Sequence, residues 1–218
     1  MPLDPAAYLA PGSFVDSAHP AVAAFAAAAA KGSGASDRDR AVALFLAVRD
    51  GFRYDPYNTS RLAESFRASS VVASTRNWCV PKAVLLTAAC RAQGIPAALG
   101  FSDVVNHLQS SKLAESMGTD VFAWHGYSLI WVDGGWHKVS SAFNVELCER
   151  FGTKVLDWDG SGDALMHPFD TGGHQHMEYV RDRGIYLDLP FDEIMVTFAE
   201  LYPKNHDRGD VIDEVFHS

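Results

Sequence analysis

The stretch Arg76–Pro96, RNWCVPKAVLLTAACRAQGIP, decides how the rest of the chain is read. Val84, Leu85, Ala88 and Ala89 recur at helical spacing, so the segment predicts a central helix. Gly94 and Pro96 stop it: glycine tolerates the left-handed conformation of a helix exit, and proline cannot continue the hydrogen-bond ladder. Pro81 fixes the other end, because a proline fits only the first turn, and the helix begins near Trp78 or Cys79. Cys79 then stands among backbone N–H groups that have no intrahelical acceptor. Those donors and the positive end of the helix dipole favour a thiolate and can hold an oxyanion. The plain alternative is a small hydrophobe in the core. Cys90, on the apolar side of the same helix, and Cys148, in a short helix further on, have no such setting and read as core or surface residues.

Outward from that helix, Pro20 opens an alanine-rich helix and Ser36 caps a second one through about Asp50. FRYDPYNTS (Phe52–Ser60) ends this helix with a proline turn, and FRYDPY within it is either a simple helix exit or an aromatic or amide wall near the cysteine. On the other side AALGFSDV reads as a strand and NHLQSSKLAESMG as a loop or short helix. VFAWHGYSLIWV (Val121–Val132) is a strong strand, and a DGG turn (Asp133–Gly135) returns it through WHKVS (Trp136–Ser140). A short helix ending at Gly152, an irregular region to Gly184 and a last helix Phe191–Tyr202 complete the chain. Helices first and a meander after them predict an α+β fold.

The 218 residues, 48% hydrophobic and 21% charged, suffice for one domain, 1–218, with a core at about 36–152. A formal net charge of −9 and the lack of a Lys/Arg cluster argue against a nucleic-acid partner. Three cysteines, an odd count, do not form a disulfide framework and suit a reducing cytoplasm. Ala21–Ala30 is too short to span a bilayer and lacks a basic leader, so no membrane partner is expected. An oligomer is left open. No nucleotide-binding glycine motif occurs, and no cofactor is expected.

A nucleophilic cysteine needs a base, and His125 lies mid-strand between Trp124 and Gly126, on a rigid mount. Taken together, CRAQGIPAALGF after Cys79 and WHGYSLIWVDGGWHKVS after it resemble the transglutaminase-like superfamily over about Phe52–Asn144. The resemblance implies a papain-like core in which a helix bearing the cysteine packs on an antiparallel sheet. It implies Cys79 as nucleophile and His125 as base, cleaving an amide or peptide-type bond of a small-molecule or peptide substrate through a thioester. Where the family pattern carries an acid after W-x-x-x, this chain has Ser140. The third member, which steadies the imidazolium, is then Asn144, Ser140 with a water, or a carboxylate from elsewhere, Asp120 or Asp159. Trp78, Trp124, His174 and His176 are candidates to contact substrate, although the tryptophans are equally core residues. Two other functions fit: a binding or scaffold module that lost its acid, and a metal-dependent hydrolase on His174 and His176 with His107 or His167.

Overall fold

The structure, a computed structural model, describes residues 3–107, 117–165, 172 and 177–202. Its central element is α4 (Cys79–Ala92), whose residues from Cys79 to Arg91 are all buried. On one side of it lie α1 (Pro20–Ala29), α2 (Asp37–Gly51) and α3 (Ala68–Val72). On the other lies a four-stranded antiparallel sheet of β3 (Ala97–Asn106), β4 (Val121–Val132), β5 (Gly135–Val139) and β6 (Met177–Tyr186), in the order β5-β4-β3-β6. Two residue pairs, β1 (Arg53–Tyr54) and β2 (Arg76–Asn77), form a small parallel ladder that leads the chain into α4. The helices α5 (Val145–Phe151) and α6 (Phe191–Leu201) complete the α+β arrangement expected from the sequence.

The helix boundaries follow from local chemistry. Ser36 Oγ accepts the Asp39 N–H at 3.1 Å, which caps α2. At the exit of α4, Gly94 N–H donates to Arg91 O (3.0 Å) and Ile95 N–H to Cys90 O (2.9 Å), with Gly94 at φ +73°. That paired closure is a Schellman motif, and it uses the glycine's tolerance of the left-handed region. Arg91 then straps three distant segments together. Its Nε donates to Ala97 O (2.8 Å), one terminal nitrogen to Ala10 O (2.8 Å) and the other to Leu187 O (2.7 Å).

The helix α4 meets the sheet at β4. Gly126 is the point of closest approach: a Cβ there would lie 3.1 Å from the Val80 Cα. Deeper along the contact, Thr87 and Ser128 share a hydroxyl hydrogen bond at 2.9 Å, and Ser128 also reaches Ala83 O at 3.1 Å. The far face of the sheet carries a smaller apolar cluster of Ala98, Tyr127 and Leu129, covered by Leu3, Tyr8, Trp136 and Leu165.

Two sequence expectations change. The region before Gly184 is not irregular throughout: β6 pairs antiparallel with β3 along Met177–Tyr186 and forms an edge of the sheet. Its alternation is broken by Arg181, Asp182 and Arg183, charges that an edge strand carries where a central one would not. Phe52–Ser60 does more than end α2, since β1 within it pairs with β2. Among the described residues no helix is long and apolar enough to cross a membrane.

Candidate active site

Cys79 is the first residue of α4, with Trp78 as its N-cap. Burial pushes the thiol up to about 11; the backbone N–H groups of Gly126, Val80 and Cys79 itself, and the charge of Lys82, pull the other way. The donors expected at a helix start are therefore present, yet desolvation outweighs them and the resting sulfur is a thiol. Cys90 is pushed further, to about 12, again by burial.

His125 precedes Gly126 on β4, opposite Ser102 of β3. The strand bulges just before it, where the register against β3 shifts between Ser102 and Val104. Trp124 occupies the bulge at φ +60°, a conformation rare for a tryptophan. Two side chains hold it there: Asp103 Oδ1 accepts the Trp124 N–H (3.0 Å), and the Tyr202 hydroxyl accepts the Ala123 N–H (2.7 Å). Asp103 is itself fixed by Arg183 through two contacts of 2.8 Å. The His125 ring packs edge-on to Tyr179, with centroids 6.3 Å apart. Its Nε2 is buried and finds no hydrogen-bond partner among the described residues. Burial alone lowers the imidazole to about 4, so it rests neutral, and no charged group among the described residues raises it.

The residues proposed as third member fall in different places. Ser140 follows β5; its N–H donates to Ala164 O (2.8 Å), while its buried Oγ, like that of Ser141, has no partner among the described residues. Asn144 is buried as the residue before α5, and its Oδ1 accepts the Tyr54 N–H at 3.0 Å. That bond commits the amide oxygen to holding β1. Asp159 lies in an exposed turn, bonded to the Ser161 N–H (2.8 Å) and hydroxyl (2.6 Å). Asp120 is exposed at the entrance to β4, where its carbonyl accepts the Asn106 N–H.

Both tryptophans offered as substrate contacts are packed into the core. Trp78 lies against Phe66 and Phe198, each with ring centroids 5.8 Å away. Trp124 lies under the Arg183 guanidinium (4.9 Å) and beside Phe101 (5.5 Å). His174 and His176, with His167, lie outside the described residues; His107 faces Glu178 at 3.3 Å.

Three residues near the sulfur escaped the reading of chemistry from sequence. Tyr54 and Tyr202 are both raised, first by burial and also by the charge Cys79 carries when ionised. Tyr54 packs edge-on to Phe143 at 4.7 Å. Lys82 is the third, a fully buried lysine one turn from Cys79. Its signal was legible: a charged residue in the apolar first half of the helix.

Backbone donors meet the Cys79 thiol, and His125 is the strand residue next to one of them, Gly126, with its ring against Tyr179. Among solved structures, a suspected cysteine protease from Cytophaga hutchinsonii is similar over 64% of this chain and 43% of its own, at 17% identity and a TM-score of 0.48. The chain thus spans less than half the length of that protein. A comparison with curated proteins finds no match. The model of the transglutaminase-like superfamily matches residues 24–141, more than half of the chain, and the chain belongs to that superfamily.

Proposed function

We propose that this chain is a cysteine-dependent hydrolase or acyl transferase acting on an amide or peptide-type bond of a small molecule or peptide. Membership of the superfamily supports a cysteine-type hydrolase or transferase in general. The observation that carries the finer reading is the sulfur of Cys79, met by the N–H groups of Val80 and Gly126 next to His125.

The neutral resting pair works as a hydroxyl and an imidazole do in a serine hydrolase. As Cys79 Sγ attacks the carbonyl carbon, His125 Nε2 takes the thiol proton, so charge develops only with the bond. The carbonyl oxygen gains the negative charge, and backbone donors at the start of α4 answer it. The imidazolium then protonates the leaving amine and a thioester remains. Water or an amine, its proton passing to His125, releases the acyl group and restores the thiol. Ser140 stands where the acid is expected, and its free hydroxyl is suited to hold a water against the imidazole.

Acylation tests this reading. Incubation with p-nitrophenyl acetate at neutral pH is expected to leave one acetyl group on Cys79, seen by peptide mass spectrometry. His125→Ala should slow its formation by ~100-fold, the typical share of a general base. No adduct on Cys79 across a panel of activated esters and amides, with the protein folded, would overturn it. A second reading, a non-catalytic binding module, is favoured by the same two shifts, Cys79 up to about 11 and His125 down to about 4. That reading expects Cys79 to stay unacylated.

A further inference from the structure

Lys82 sits inside the protein with no exposed surface. Its Nζ donates to Arg49 O at 2.9 Å and to Phe52 O at 2.6 Å, the carbonyls at the C-terminal end of α2. That end carries the negative pole of the helix dipole and suits an ammonium. Yet a buried cation is costly, and an apolar side chain of the same size would serve the packing as well. Placement supplies the reason for it. Lys82 is three residues after Cys79 in α4, so the two side chains share one face of the helix, one turn apart.

We propose that Lys82 is a positioning residue for the Cys79 sulfur: its ammonium, clamped between the Arg49 and Phe52 carbonyls, is the built-in countercharge of the Cys79 thiolate. It touches neither substrate nor the reacting carbonyl and acts through the sulfur alone. The inference rests on the reading of Cys79 as nucleophile and says how a thiol buried this deeply gives up its proton.

The electrostatics agree with the geometry. Burial lowers Lys82 to about 7; Asp50 and the two cysteines, Cys79 and Cys148, act to raise it, and Arg49 to lower it further. Lys82 in turn pulls Cys79 down. Below about pH 7 the ammonium is present and favours the minor thiolate form; above it the lysine discharges and that help is lost. Burial moves His125 down to about 4 and Cys79 up to about 11, one on either side of Lys82.

The test is the rate of Cys79 alkylation by iodoacetamide from about pH 5 to 9, read on the Cys79 peptide by mass spectrometry in the full chain. A simple thiol gains tenfold in thiolate per pH unit below its pKa. In the wild type the expected profile bends near pH 7, rising less steeply as the countercharge leaves. In Lys82→Met the bend disappears and the rate at pH 6 falls by ~10-fold, equivalent to a shift of about one unit. Lys82→Arg, charged throughout, restores the fast rate at pH 6 without the bend. A structural role alone lowers the melting temperature of Lys82→Met and leaves the shape of the profile as in the wild type, and that outcome overturns the proposal. If the variants do not fold, the wild type decides: a straight tenfold-per-unit line through pH 7 is equally fatal. Alkylation needs no turnover, so the two readings fail separately. A bent profile on a cysteine that esters never acylate keeps the countercharge and removes the hydrolase.

Discussion

His125 is held neutral by burial, and the cost of charging it appears as a pH dependence of stability. Its folded value near 4 lies below the usual 6.5, so the unfolded chain binds a proton that the folded one refuses between those values. Stability is therefore complete above about pH 6.5 and falls as the pH drops toward 4. The full shift is worth on the order of 3 kcal/mol. Urea unfolding at pH 7 and at pH 4 should show wild type losing that much more than His125→Gln; equal losses would mean the ring is solvated. Lys82 works in the same direction in another window, since its lowered value makes stability rise as pH climbs from about 7 toward 10.5. Cys79 acts oppositely, its raised value costing stability between about 9 and 11. At this scale the sequence was legible in type and blind to environment. Cys79 at the helix start was readable from Pro81 and the apolar spacing. That the thiol would be raised was not, because its burial depends on groups such as Tyr54 and Tyr202 arriving from distant segments. Nor was it legible that Asn144 would accept the Tyr54 N–H and Asp159 the Ser161 N–H, bonds made by the fold rather than by local sequence.

The element that governs the site is the contact between α4 and β4. Gly126 lets the helix approach until the strand backbone reaches the Cys79 sulfur, and a methyl group at this position must push Val80 aside. Gly126→Ala is expected to cost about 1–3 kcal/mol, the usual penalty of overpacking, and to slow Cys79 acylation, because the N–H of residue 126 moves off the sulfur. A variant as stable as the wild type by urea denaturation would show that the helix shifts freely. Gly94→Ala should cost about 1–2 kcal/mol, since φ +73° is a left-handed conformation that a Cβ disfavours. Its acylation rate should not change, because Gly94 closes the opposite end of α4; a slower rate would couple the two ends. Helices with a cap and a stop, α2 and α4, were readable from sequence to within a residue or two. The strands β4 and β5 were readable because alternation and a tight turn are local signals. The ladder β1–β2 and the edge strand β6 were not, since two-residue pairing leaves no pattern and β6 is patterned by its exposure.

Across the whole molecule the early and late segments are tied together. Asp188 accepts the N–H groups of Ser13, Phe14 and Val15, at 2.6, 3.2 and 2.9 Å. Asp188→Asn weakens a carboxylate that serves three donors, and a loss of about 1–3 kcal/mol is expected. Hydrogen exchange at residues 13–15 should then quicken well before that of α4; uniform exchange would mean that the strap opens only with the whole fold. None of this was visible in a segment of prolines and a glycine that reads as loose from composition alone.

The Arg91 strap has a consequence for how the chain matures. One of its acceptors, Leu187, lies 96 residues further along the chain. A ribosome releases α4 and the helices that surround it long before that acceptor emerges. Until then a guanidinium meant for the interior stays incompletely bonded, and the first residues lack the Asp188 carboxylate that fixes them. Vectorial synthesis thus leaves the cysteine helix provisional until β6 and its exit are made, so the thiol becomes sequestered only after that edge strand has emerged.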